Sequence, residues 1–408
     1  MLDNSRVWLA GRYHKIVNSI AFYPAFIGLL FLAVSYVTIS FDFSETGKQI
    51  KASLPPYTSL KDASTARNII SAITSGLISL TVFSFSMVMI VLSQAASNLS
   101  NRVLNRLIGN RFQQVVLGIY IGTIVYSLFL LSTIRDIDSG IYIPALSTYL
   151  LILLTIFDIF LFIYFIHYIT QSIKYDVIIH RVYNDTRKVM EEACSLSRRP
   201  AEPIELAGEI VVAANSSGIY EGFDSSSLVK IADEYDCVFS TLHTPGTFIL
   251  KGLPVVQVSK PIPKEAEDEV ARALRVNDSE SINENFFYGL RQLSEIAMKA
   301  LSPGINDPGT AIIALQALSK LFAYRIVHFP DNVARNADGQ VRVLIEELTF
   351  DKMFANTILP VWDYGKEDRL VQHELFHLLT QLQKISNHAE VGRLLLEVKK
   401  KMHEDLLA

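Results

Sequence analysis

Residues 68 to 101 contain no Asp, Glu, Lys or Arg, and Arg67 and Arg102 stand directly outside that run. A hydrocarbon core of about 30 Å is crossed by roughly 20 apolar residues in a helix. A longer stretch without charge has no place on the surface of a soluble domain, where roughly a quarter of residues are charged. Over the whole chain the charged fraction falls to 19% while apolar residues reach 50%. The shortage is local, because residues 260–300 and 385–408 are richly charged. The chain therefore reads as an apolar first part joined to a charged second part. Its net charge of −4 excludes a general nucleic-acid binder, which needs a basic face.

Four segments are long and apolar enough to span: 17–41, 69–95, 113–134 and 141–171. Arg6, Arg12 and Lys15 precede the first, as in a signal peptide, but no small-residue cleavage site follows, so a retained helix is the reading. Arg102, Arg106 and Arg111 lie between the second and third segments, and Lys174, Arg181, Arg187 and Lys188 follow the fourth. By the positive-inside rule both termini are expected in the cytoplasm, in a multi-pass protein of the inner membrane surrounded by lipid. Cys194 and Cys237 then fall on the reducing side and are expected as free thiols.

The second segment is the most informative. Ser79, Ser86, Ser93 and Ser100 recur at seven-residue intervals, a stripe that drifts slowly round a helix. Arg102 and Arg106 follow one turn apart, and a helix from Asn68 to Asn110 would be roughly 60 Å long, about twice the hydrocarbon thickness. Two readings stand. Small residues let this span pack centrally among the others. Alternatively, copies of it line a water-filled axis in a homo-oligomer, where rings of Arg102 and Arg106 favour anions. The third segment carries Gly118 and Gly122, a small-xxx-small pair suited to close helix approach, within one protomer or between two. Asp158 sits near the middle of the fourth, where an ionisable group must face protein or water; it is an ion or proton site, or a structural group bonded to a neighbouring helix.

Residues 176–200 read as a connecting helix and linker. A β-rich module follows over 201–262, with strands at Glu209–Ala214, Ile219–Phe223, Cys237–Leu242, Thr247–Leu250 and Val255–Val258, and a helix Ser225–Glu234 capped by Asp224. A mainly helical module occupies 263–408: amphipathic helices over Lys264–Val276 and Asn283–Leu301, an apolar helix Gly309–Ile326, a polar loop Asp331–Gln340, a strand Val341–Glu346, and helices near 351–363, 367–387 and 389–407.

Two motifs bear on chemistry. His373-Glu374-Leu-Phe-His377 matches H-E-x-x-H, in which one helix face offers two zinc ligands and a general base, with Glu397 as a third ligand. An amphipathic surface helix explains the same spacing, and a zinc-dependent hydrolase is the minor alternative. The corner Ser302–Pro308 places Ser302, Asn306 and Asp307 at a helix N-terminus, where a polar ligand or anion would be held. The same corner is explained by backbone needs, with Asp307 as N-cap and Pro308 as first helical residue. No Gly-rich phosphate loop, nucleophile elbow or Cys/His cluster is present, so no catalytic residue, metal or cofactor is assigned.

The run Phe287-Tyr-Gly-Leu-Arg-Gln-Leu-Ser-Glu-Ile-Ala-Met-Lys-Ala-Leu-Ser-Pro-Gly-Ile-Asn-Asp-Pro-Gly-Thr-Ala311 resembles the signature of a family of bacterial integral membrane proteins catalogued as a domain of unknown function. Ser217–Asp224 and Pro245–Pro254 are similar to the same family, as is the four-span first part. The two β motifs also look like halves of a small barrel-sandwich. The fold expected is four membrane helices over 1–175, then an α+β domain with a barrel-sandwich-like module and a helical module. The function expected is an oligomeric pore gated by a cytoplasmic sensing domain, or a membrane-anchored scaffold or sensor that binds a protein, ion or small molecule without conducting.

Overall fold

The computed structural model describes residues 22–53, 60, 62–98, 111–137, 140–172, 174–200 and 210–407. The chain divides into two compact units, Met1–Lys174 and Tyr175–Ala408.

Four helices of the first unit are long and apolar enough to cross a membrane: α1 (Phe22–Asp42), α3 (Ala63–Asn98), α4 (Arg111–Thr133) and α5 (Ala145–Ser172). A short polar helix α2 (Glu45–Ser53) follows α1, and a hairpin of β1 (Arg135–Ile137) and β2 (Gly140–Tyr142) joins α4 to α5. In lipid every backbone group must be paired within the segment, which leaves helices as the form for these apolar runs. The close approach is between α1 and α4. A Cβ on Gly118 would fall 2.6 Å from Ile27 Cδ1, and one on Gly122 would fall 2.7 Å from the Phe31 ring. The small-xxx-small pair therefore seats a helix of the same chain. Hydroxyls tie the remaining contacts: Thr74 Oγ1 donates to Ser127 Oγ at 2.9 Å, and Tyr126 Oη donates to Ser147 O at 3.2 Å.

The second unit opens with α6 (Tyr175–Ala193) and continues as β3 (Ile210–Ala213), β4 (Gly218–Phe223), α7 (Ser225–Glu234), β5 (Phe239–Thr241), β6 (Thr247–Ile249), β7 (Pro254–Val258), α8 (Lys264–Ala273) and β8 (Leu274–Asn277). Helices α9 (Phe287–Ala300) and α10 (Pro308–Arg325), strands β9 (Val333–Arg335) and β10 (Val341–Leu344), and helices α11 (Phe350–Gly365), α12 (Arg369–Ile385) and α13 (Ala389–Leu407) complete it. The strands form two open sheets, ordered β3-β7-β5-β10-β9 and β6-β4-β8, and among the described residues no barrel closes. Their shared core holds Tyr220, Phe239, Val256 and Val258 with Leu228 of α7 and Val270 of α8.

Two sequence expectations change here. The helix predicted over Lys264–Val276 stops at Ala273, and Leu274–Asn277 pairs with β4 as an antiparallel strand, because sheet pairing outweighs local helix preference. The loop predicted over Asp331–Gln340 contains β9, which pairs with β10 across a turn closed by Gly339 N donating to Asn336 O. The caps stand where the residues placed them. Asp224 Oδ1 accepts from Ser226 N at 3.3 Å, and Asp307 Oδ1 accepts from Thr310 N at 3.1 Å.

Helix α9 is central to the helical module, packing on α6, α10 and α11. Gly289 makes this possible on the α6 side, where any Cβ would run into the Thr186 side chain. Phe322 of α10 meets Phe350 and Phe354 of α11 edge-on, with ring centres 5.3 and 5.4 Å away.

Candidate functional site

Helix α3 uses one face for its neighbours. Ala66, Ile70, Thr74, Leu77, Ser84 and Val88 are buried, at helical spacing. Two residues further along the chain is about 200° round a helix. Ser79 and Ser86 therefore stand nearly opposite Leu77 and Ser84, and with Ser93 they are exposed on the surface of the chain. Ser79 Oγ donates to Ser75 O at 3.0 Å and Ser86 Oγ to Val82 O at 2.9 Å, so each hydroxyl proton is held by its own helix. Ser100, Arg102 and Arg106 lie outside the described residues.

A second polar group lies between the helices. Asp158 of α5 is fully buried, and among the described residues neither carboxyl oxygen has a hydrogen-bond partner. Its neighbours are Tyr120 and Thr123 of α4, with Ser84 of α3 beside Tyr120. Ser84 Oγ donates to Leu80 O at 2.8 Å and Thr123 Oγ1 to Ile119 O at 3.1 Å, while Tyr120 Oη is buried without a partner among the described residues. Ionised and unpaired, a carboxyl in mid-membrane costs about 2.5–3.5 kcal/mol on insertion scales. A proton, a water or a cation at this point would remove that cost.

The corner Ser302–Pro308 spends its polar groups on itself. Ser302 Oγ donates to Lys299 O at 2.7 Å, Asp307 N donates to Ala300 O at 2.8 Å, and Asp307 Oδ2 takes the Thr310 hydroxyl at 2.6 Å. Asn306 is exposed and adopts a positive φ of 48°. In the H-E-x-x-H segment, His373 Nε2 and His377 Nε2 approach to 3.3 Å on the exposed side of α12. Glu374 instead accepts from Gln316 Nε2 at 2.9 Å, and Glu397 from Trp362 Nε1 at 2.7 Å. Among the described residues no third His, Cys, Asp or Glu joins the histidine pair.

Sequence reasoning missed a cavity of about 360 Å³ within the second unit. Ile326, Phe329, Ile345, Leu348 and Phe350 form its apolar wall, and Arg199, Arg325, Glu347 and His388 add polar groups. Arg325, the last residue of α10, is only 4% exposed. Its Nη1 donates to His328 O at 3.1 Å, its Nε has no partner among the described residues, and its guanidinium lies over the Phe329 ring at 5.6 Å. Burial pulls the guanidinium below its ordinary value, against the opposing pull of Cys194 and Glu347. Burial likewise pushes the Glu347 carboxyl up to about 7; Arg325 draws it back, and Glu346 and Asp331 push it further. His388 Nδ1 is buried without a partner among the described residues, while Nε2 lies 3.4 Å from Asp351. Arg325 reads in sequence as an ordinary basic residue at a helix C-terminus. The available signal was a charge closing a largely apolar, largely buried helix.

Comparison with known proteins adds kinship. Residues 17–381 match a family described as predicted membrane proteins, DUF2254. Two relatives, described as uncharacterized proteins of Mycobacterium bovis and Mycobacterium tuberculosis, are each 26% identical over 334 residues. The similarity covers 77% of this chain and 63% of each relative, so the chain spans less than two thirds of the length of the curated proteins it matches. No solved structure matches. The matched span contains all four apolar helices and the motif Phe287–Ala311. The chain belongs to the DUF2254 family of predicted membrane proteins.

Proposed function

We propose that the protein is an oligomeric pore of the inner membrane. Copies of α3 surround its axis, and the second unit lies in the cytoplasm as a gating and sensing domain. The observation that carries this reading is the serine stripe on the face of α3 turned away from its own chain. Packing within the chain has no use for small polar residues there. A shared axis does, because it turns that face toward water. With their protons held by backbone carbonyls, Ser79 and Ser86 offer oxygen lone pairs to the axis. Charge selection would then fall to Arg102 and Arg106, which follow in sequence at one end and favour anions.

Imaging the protein in nanodiscs tests the arrangement: a ring of subunits with α3 innermost is expected. Reconstituted protein should then conduct, and Arg102→Glu with Arg106→Glu should move the reversal potential toward cations. Unchanged selectivity removes the two arginines from the account.

A second reading, a membrane-anchored sensor without a conduit, is favoured by the Arg325 cavity, which implies ligand binding whether or not anything is conducted. A monomer, or a twofold dimer with α3 buried at its interface, would decide for it.

A further inference from the structure

We infer that the cavity at the end of α10 binds a small organic monoanion, a carboxylate on an apolar body, through Arg325. The inference rests on the sensing role proposed for the second unit, and it names the chemistry sensed.

A guanidinium taken out of water is tolerated when an anion and hydrogen bonds replace the lost solvation. Arg325 is 4% exposed, has an unpartnered Nε, and forms no ion pair among the described residues. Its own chain supplies one hydrogen bond, to His328 O, the Phe329 ring and the nearby Glu347, and leaves Nε without a partner among the described residues. A planar carboxylate matches the guanidinium fork with two parallel hydrogen bonds.

A second feature converges on the same space. Thr349, Phe350 and Asp351, the cap and first turn of the 16-residue helix α11, line the cavity. Thr349 Oγ1 takes the Lys352 N–H, and the N–H groups of Phe350 and Asp351 make no hydrogen bond among the described residues. A helix N-terminus presents donors and partial positive charge to an anion. Arg325 lines the same cavity.

The rest of the wall sets the body and the charge of the ligand. Ile326, Phe329, Leu348 and Phe350 suit an aliphatic or aromatic group. Glu346, Glu347 and Asp351 border the space alongside Arg199 and Arg325, so the local charge does not favour a polyanion such as a nucleoside triphosphate. One negative charge is what Arg325 and the helix end can neutralise.

Calorimetry on the purified full-length chain in detergent tests this, with 3-phenylpropionate as probe, its neutral amide as twin, and inorganic phosphate as comparator. Saturable binding of one acid per chain is expected, with the amide and phosphate each weaker by at least about tenfold. Arg325→Met should weaken the acid by a similar factor. If that variant does not fold, Leu348→Trp fills the apolar half while leaving Arg325 in place, and should abolish binding. Equal affinity for acid and amide, tighter binding of phosphate, no saturation by about 10 mM acid, or unchanged binding in Leu348→Trp would each overturn the inference. Calorimetry does not register conduction. A protein that binds without conducting loses the pore and keeps this site, and one that conducts without binding loses this site alone.

Discussion

The carboxylate of Asp42, at the end of α1, accepts a hydrogen bond from the Ser147 backbone N–H at 2.7 Å in the first turn of α5. The same carboxylate takes the Ser147 hydroxyl at 2.6 Å and the Leu146 N–H at 3.2 Å. Asp42 is fully buried, and Lys51 of α2 lies 3.2 Å away. A negative charge held against a helix N-terminus pairs donors that would otherwise be orphaned and complements the helix dipole. Asp42→Asn keeps the shape but removes the charge, and should cost about 1–2 kcal/mol. Thermal unfolding of the detergent-solubilised protein reads this directly, and an unchanged midpoint would show that the corner holds without the cap.

In the second unit, Tyr288 Oη donates to Glu221 Oε1 at 2.6 Å, joining α9 to the three-stranded sheet. Glu221 is 2% exposed, and burial raises its carboxyl above the ordinary value. Tyr288→Phe leaves that acceptor unpaired and should destabilise by about 1–3 kcal/mol. Adding Glu221→Gln to Tyr288→Phe should cost less than the sum of the two single changes, since both act on one bond. Strict additivity in chemical denaturation would mean the pair is not coupled.

Glu347 makes stability depend on pH. Its folded value of about 7 lies above the ordinary 4.5, so between these two the folded chain holds a proton that the unfolded chain has released. This contribution is complete below the ordinary value and is lost as pH rises through the folded one. Besides Arg325, the charged groups around the cavity are Arg199, Glu346 and Asp351, with the imidazole of His388 beside them and Asp331 acting on Glu347 from nearby. Unfolding midpoints should fall between about pH 5 and 7, and Glu347→Gln should flatten that part of the curve. An equal slope in the variant would assign the dependence to another group.

The outward stripe of α3 can be tested chemically. The native thiols, Cys194 and Cys237, are both buried, which leaves an introduced surface cysteine as the reactive one. Ser86→Cys should form a disulfide-linked dimer on mild oxidation in membranes if α3 faces its copies. Ile156→Cys, exposed on α5, serves as the lipid-facing control. Crosslinking at both positions alike, or at neither, would count against a shared axis.

Much of this architecture was readable from residue types. Long apolar runs announced four helices, and Asp224 and Asp307 marked two helix starts at the residue before each begins. What escaped depends on partners remote in sequence. Leu274–Asn277 becomes a strand because β4 lies beside it, and β10 runs parallel to β5 across a gap of about a hundred residues, for which no local pattern exists. The candidate sites divide in the same way. The serine stripe is periodic along one helix and so visible beforehand. The Arg325 cavity gathers Arg199, Arg325, Glu347 and His388 from four separate stretches, and only folding brings them together.

The glycine seat between α1 and α4 bears on how the chain is made. The first span packs chiefly on the third, and its terminal carboxylate is satisfied by the fourth. A ribosome delivering spans in order therefore releases α1 and then α3 into lipid before the main partner of either has been synthesised. Until the fourth span is threaded, Asp42 has Lys51 of α2 beside it but not the helix N-terminus that completes its pairing. Assembly of the helical unit is thus a late event in translation, and a nascent chain stalled after its second span holds two helices still waiting for their partners.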